Sequence, residues 1–158
     1  MGRMSTKYRV QNPKNNEIVE SFDFITDDEL ETALATANDT FKQWREKSFE
    51  ERAEVLRKVA KLFDEQRAEL TRIIAEEMGK SVKEGDGEID DVVEIFNYYA
   101  DNGAEFGADE EIPNQRGGTS VMRKVPLGVI LGIMPWNFPY YQVARFAAPA
   151  LMAGNVVM

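Results

Sequence analysis

Asn137 stands between two prolines in Pro135-Trp136-Asn137-Phe138-Pro139, directly before a stretch with helical periodicity. Pro139 suits the first turn of a helix, where its missing N–H is one of the unpaired donors in any case. An asparagine in this position predicts an N-cap, with the side-chain oxygen accepting an early backbone N–H and the amide NH2 pointing outward. An outward donor at a helix N-terminus is an anion or oxyanion site. Arg145 follows Asn137 by eight residues, a little over two turns, and so projects from roughly the same face as Asn137 and Tyr141. One face can then hold a carbonyl and a distal carboxylate. The plainer alternative is an asparagine that only caps and an arginine that is solvated or ion-paired, neither of which needs a ligand.

What is missing narrows the chemistry further. The 158 residues contain no cysteine and no histidine. Disulfides, thiolate metal sites and thiol catalysis are excluded for them, as are the commonest general base and the commonest metal ligand. No metal is expected. Glu76, Glu77, Glu84, Glu88, Asp90 and Asp91 fall on amphipathic helical patterns and are expected to be solvated faces, not an acid–base pair. Nineteen basic against 28 acidic residues leave a formal charge of −9. That is the wrong sign for a nucleic-acid or anionic-membrane partner. No window approaches the roughly 18 apolar residues of a membrane span, and Met1-Gly2-Arg3-Met4-Ser5 is not followed by an apolar leader segment, so a cytoplasmic location is expected.

The elements that must position Asn137 and Arg145 are legible as periodicities. Lys7 to Thr26 alternates short apolar runs around the turn formers Asn12-Pro13-Lys14-Asn15-Asn16 and predicts a β-hairpin. Thr26-Asp27-Asp28-Glu29 fits a capping box ahead of Leu30, Ala33, Leu34, Ala37, Phe41 and Trp44. Ser48-Phe49-Glu50-Glu51 opens a second helix with the stripe Val55, Leu56, Val59, Leu62 and Phe63, and Leu70, Ile73, Ile74 and Met78 extend the pattern to a stop at Gly79. A third box, Ser81-Val82-Lys83-Glu84, leads into Ile89, Val92, Val93, Phe96 and Ala100 with Gly103 as terminator, giving four amphipathic helices in series. Gly85 and Gly87 make the start of the last one either frayed or tightly packed. Ala108 to Gly118 reads as a loop and Thr119 to Val125 as an edge strand. Leu127 to Met134 is a nearly continuous apolar run, the pattern of a strand buried on both faces of a parallel sheet. Pro139 to Gly154 is then a helix, with Tyr140, Val143, Phe146, Ala147 and Leu151 as its stripe, and Asn155-Val156-Val157-Met158 starts another strand.

A strand, a tight turn, a helix and a strand place a ligand at the carboxyl end of the first strand. The fold class expected is α/β: an N-terminal hairpin and amphipathic helices, then the start of a doubly wound, Rossmann-like parallel sheet. Because the sequence stops inside an apolar run, an incomplete sheet is expected.

Three blocks, Pro126-Leu127-Gly128-Val129, Ile133-Met134-Pro135-Trp136-Asn137-Phe138-Pro139 and Ala148-Pro149-Ala150-Leu151-Met152-Ala153-Gly154-Asn155, are similar in order and spacing to the N-terminal part of the aldehyde dehydrogenase superfamily. Phe49-Glu50-Glu51-Arg52, and Glu76-Glu77-Met78-Gly79-Lys80-Ser81 followed by Glu84 and Glu88, resemble it more loosely, while Gly85 and Gly87 depart from an alanine-rich helix. The resemblance implies that Asn137 donates its amide to the thiohemiacetal oxyanion formed when a cysteine thiolate attacks an aldehyde. It implies that Ile133, Met134, Pro135 and Trp136 border the nicotinamide-ribose side of NAD or NADP, and that Phe138 and Tyr141 line the aldehyde path. Phe138 to Phe146 resembles the succinate-semialdehyde dehydrogenase branch, in which an arginine at the place of Arg145 pairs with the substrate's remote carboxylate, a task suited to a bidentate guanidinium. The same place is also basic in members that act on uncharged aldehydes.

The resemblance divides the chain into 1–106, hairpin plus helices of the cofactor-binding domain; 107–126, loop and edge strand of the bridging and oligomerisation region; and 127–158, the first strand–helix–strand unit of the dinucleotide sheet. The cysteine, general base and cofactor lysine of the family have no counterpart in these residues. The expectation is therefore a truncated, inactive fragment of an enzyme that oxidises succinate semialdehyde or a similar semialdehyde, not itself binding the cofactor tightly and associating with its own copies through exposed strand edges. A non-catalytic self-associating or binding module derived from the family is the alternative.

Overall fold

In a computed structural model, residues 8–115 and 117–158 are described. Lys7, at the start of the expected hairpin, residues 1–5, and Arg116 in the expected loop lie outside them. The hairpin pairs β1 (Tyr8–Gln11) with β2 (Ile18–Phe22) antiparallel, Tyr8 facing Phe22, with an irregularity between Val10 and Gln11. Its turn is built by asparagine side chains. Asn12 Oδ1 accepts from Lys14 N–H at 2.9 Å, Asn15 Oδ1 accepts from Glu17 N–H at 3.0 Å, and Asn16 takes the left-handed backbone its short polar side chain tolerates, at φ 62°.

All three capping boxes form, opening α1 (Asp27–Trp44), α2 (Phe49–Glu65) and α4 (Val82–Phe106) through Thr26, Ser48 and Ser81. α3 (Arg67–Met78) separates from α2 at Gln66 and ends, as expected, at Gly79, whose φ of 74° suits glycine in a helix C-cap. α4 does not stop at Gly103 but continues three residues to Phe106. Gly103 is a packing residue instead: the Met152 side chain lies where a Cβ would stand, which lets two helices approach closely.

That second helix is α5 (Pro139–Met152), and the core is the seam of α2, α4 and α5. Ala53, Leu56 and Ala60 meet Val92, Phe96 and Ala100, and Ala144, Ala148 and Met152 close the cluster. Small residues dominate, so the helices are near neighbours; removing fully buried Leu56 from water stabilises by about 2 kcal/mol. The stripe expected for α2 is rotated. Leu56 is buried, but Val55 and Leu62 are exposed while Arg52, Ala53 and Ala60 are buried. Close helix contact selects the alanines, which a search for large apolar residues passes over.

β3 (Glu110–Ile112) pairs antiparallel with β4 (Ser120–Met122), so a strand occupies part of the segment expected to be loop, and the expected edge strand is shorter than Thr119 to Val125. β5 (Val129–Ile130) pairs parallel with β6 (Val156–Val157) across α5, the start of a parallel α/β sheet. The ladder is extended by Val156 N–H to Gly128 O at 3.0 Å and Gly132 N–H to Met158 O at 2.8 Å. The expectation that Leu127 to Met134 is buried on both faces is wrong for this chain: Leu127 is 89% and Ile133 86% exposed. Among the described residues the sheet has two strands, so β5 pairs on one side only.

Candidate active site at the start of helix α5

The chain leaves β5, turns at Trp136 and Asn137, and enters α5 through Phe138 and Pro139. Asn137 is not the cap. The N-cap is Phe138, with φ −140° and ψ 72°, and no side chain of its own neighbourhood caps the helix. Asn137 lies one residue further out, exposed, its amide without a hydrogen bond among the described residues. An outward donor is present there, but for a different reason from the one expected.

The cap comes from α4. Glu88 Oε1 accepts the backbone N–H of Tyr140 at 2.9 Å and of Tyr141 at 3.0 Å. Its other oxygen accepts from Lys80 Nζ at 2.5 Å. The Glu88 side chain is 0% exposed and that of Lys80 8%, so the expectation of Glu88 as a solvated carboxylate is overturned. A buried carboxylate is tolerable only when paired and hydrogen-bonded, and here a cation and the positive end of a helix both meet it. The Lys80 ammonium, itself largely buried, also sits 3.5 Å from the centre of the exposed Phe138 ring, a cation–π contact.

The expected substrate residues form a row. Phe138 and Tyr141 meet edge to face, centroids 6.0 Å apart, and the Arg145 guanidinium carbon is 6.0 Å from the centre of the Tyr141 ring. Arg145 is exposed and has no ion pair among the described residues. Tyr140 points elsewhere: its ring packs edge-on against Phe63 at 5.7 Å, and burial, reinforced by the charges of Glu77, Glu88 and Glu69, pushes its phenol above the ordinary value. Of the expected cofactor-side residues, Ile133 and Trp136 are exposed, the latter 78%, Pro135 is exposed, and Met134 is half-buried. An open cavity of about 480 Å³ runs between Trp136, Pro139 and Tyr140 on one side and Val10, Ile73 and Met78 on the other.

Motif reading placed Lys80 and Glu88 among the family-like positions but gave neither a role at the site, yet a signal existed. Gly85, Glu88, Ile89, Val92 and Phe96 share the core-facing stripe of α4, and a carboxylate on such a stripe requires a partner. Among the described residues no group of three or more carboxylates is arranged to hold a metal, and no helix is long and apolar enough to cross a membrane.

The parallel strand–helix–strand unit, with an exposed asparagine at its turn, places the chain in the α/β class. The sequence pattern of the aldehyde dehydrogenase family matches residues 2–158, and the chain belongs to that family. It is 38% identical over 156 residues to the NADP+ succinate-semialdehyde dehydrogenase of Deinococcus radiodurans, covering 99% of this chain and 32% of that protein. A probable NADP+ succinate-semialdehyde dehydrogenase of Synechocystis is 40% identical over 145 residues, 92% of this chain and 32% of its own length. The succinic semialdehyde dehydrogenase of Streptococcus pyogenes, solved with NADP+, superposes with a TM-score of 0.90 at 36% identity over 95% of this chain and 33% of that one. The chain thus spans about a third of the length of the relatives it matches, their N-terminal region.

Proposed function

We propose that these residues supply one wall of the active site of an NADP-dependent enzyme that oxidises succinate semialdehyde, or a similar semialdehyde, to the acid. Asn137 donates its amide to the aldehyde oxygen as negative charge develops on it. Phe138 and Tyr141 line the path of the carbon chain, and Arg145 binds the remote carboxylate. Ile133, Met134, Pro135 and Trp136 border the nicotinamide-ribose side of NADP, which when bound accepts a hydride. Their exposed apolar surface at the carboxyl end of a parallel strand fits such a group. The thiolate that attacks the aldehyde has to come from outside these 158 residues, which contain no cysteine. The division into 1–106, 107–126 and 127–158 belongs to the same reading, as does NADP over NAD, after the relatives' names.

The observation that carries this reading is the row itself: an Asn137 amide and an Arg145 guanidinium without a hydrogen bond or ion pair among the described residues, with Phe138 and Tyr141 between them, spaced along one helix start. The test is steady-state kinetics of the whole protein with succinate semialdehyde and a neutral aldehyde of equal length. Arg145→Ala should raise KM for the carboxylated substrate at least about tenfold, the scale of a lost charge-assisted hydrogen-bond pair, and leave the neutral one within twofold. Equal effects on both remove the carboxylate role. A second reading, a self-associating module without catalysis, is favoured by the exposed Leu127 and Ile133 beside an unpaired strand edge.

A further inference from the structure

We infer that Glu88 and Lys80 are positioning residues for this site: together they fix the first turn of α5 and the bend that carries Asn137, Phe138 and Tyr141. This rests on the reading of Asn137 as the oxyanion donor. The first N–H groups of any helix lack partners within it, and Pro139 at the first position has none to give. The next two, of Tyr140 and Tyr141, both go to Glu88 Oε1, across 52 and 53 residues of chain. A local cap would tie the bend only to itself. Glu88 ties it to α4, at a point flanked by buried Gly85, Ile89 and Val92.

Lys80 completes the clamp from the other side. It neutralises Glu88 and lies over the Phe138 ring, so the residue after Asn137 is held through its side chain while the two after Pro139 are held through their backbone. Asn137 therefore has an anchored backbone and an unengaged amide, the two properties needed in a donor that acts only when charge develops. Stability alone is a weak reason for the pair, since buried ion pairs are often matched or exceeded by apolar residues of the same volume. Position is a strong one, because a displacement of about 1 Å at such a donor costs on the order of a hundredfold in rate.

Two double variants of the whole protein separate the roles. Lys80→Met with Glu88→Gln removes both charges but keeps a side chain of similar length that can pack on the Phe138 ring and an acceptor oxygen for the Tyr140 and Tyr141 N–H groups. Lys80→Met with Glu88→Leu keeps the volume and removes the acceptor. With succinate semialdehyde, and rates expressed per titrated active site, the Gln protein should retain kcat within about threefold, and the Leu protein should lose at least about tenfold with KM changed less than twofold, since the lost contact acts in the transition state. Equal kcat in the two proteins overturns the inference. Should the Leu protein fail to fold, Glu88→Gln alone decides: its one oxygen is claimed by Lys80 and by two N–H groups, so kcat should fall by about tenfold and recover when Lys80→Met is added. No recovery overturns the inference. In an Asn137→Ala background the Gln-to-Leu exchange should leave kcat within twofold, and a full loss there excludes action through Asn137. An Asn137→Ala protein with undiminished kcat defeats the site reading itself, an outcome distinct from all of these.

Discussion

Asn155 accepts the backbone N–H of Leu127 through Oδ1 at 2.7 Å, across 28 residues of chain. The same oxygen accepts Gly128 N–H at 3.1 Å, and the amide donates to Ala150 O at 3.2 Å. One buried side chain thereby joins the approach to β5 to the end of α5, so the strand and the helix on either side of the Asn137 bend are fixed at their far ends. Asn155→Leu would leave two N–H groups without their acceptor. Urea denaturation should show a loss of about 2–4 kcal/mol; a loss under about 0.5 kcal/mol, the ordinary effect of a surface change, would mean that the two groups find other partners.

The two glycines near the start of α4 should respond in opposite ways to alanine. A Cβ on Gly87 meets nothing within 4 Å, whereas one on Gly85 comes within 3.1 Å of Thr71 Cγ2. Gly87→Ala should therefore stabilise by about 0.5–1 kcal/mol through helix propensity alone, while Gly85→Ala forfeits that gain in crowding against Thr71. The thermal midpoints should move apart, up for Gly87→Ala and level or down for Gly85→Ala. Identical shifts would show that α3 and α4 are free to separate.

Caps were legible because Thr26, Ser48 and Ser81 interact with residues three positions away, and all three boxes form. Hairpin, helix order and the parallel strand–helix–strand unit were legible for the same local reason. Contacts between distant elements were not. Gly103 read as a terminator because nothing nearby in sequence announces Met152, and Glu88 read as a solvated charge because its partners lie at Lys80, Tyr140 and Tyr141. At the candidate site, the row Phe138, Tyr141 and Arg145 follows from helical spacing, but the cap on that helix is a tertiary feature that spacing assigned to Asn137.

The capping boxes also set an acid response. Glu29 and Glu51 are held below the ordinary value of 4.5 chiefly by the backbone N–H groups of Thr26 and Ser48, and Glu84 chiefly by the Ser81 hydroxyl. A carboxyl whose folded value is depressed binds its proton more tightly in the unfolded chain. Its contribution is present in full above 4.5 and is lost as pH falls through each lowered value. The thermal midpoint should decline on acidification below that point, and a protein carrying Glu29→Gln, Glu51→Gln and Glu84→Gln should decline less steeply. Parallel curves for the two proteins would assign the acid response to other groups, among them Asp109, which Arg123 also holds low.

Leu127, Leu131 and Ile133 are exposed along the apolar run that contains β5, whose sheet has two strands among the described residues, and Trp136 beside them is exposed too. Apolar side chains and open strand N–H and C=O groups on one edge are the conditions under which a second copy adds a strand. The 158-residue polypeptide on its own should sediment as a concentration-dependent mixture larger than a monomer. Leu131→Glu with Ile133→Lys should shift it to monomer, because charges on this edge oppose pairing in the way natural edge strands do. The change should leave the thermal midpoint almost unmoved, since exposed positions contribute within about 0.5 kcal/mol. A monomer at all concentrations before substitution would remove self-association, and with it the non-catalytic reading. Association that survives both charges would point to a different face, such as the β3–β4 hairpin, where Ile112 and Val121 are also exposed.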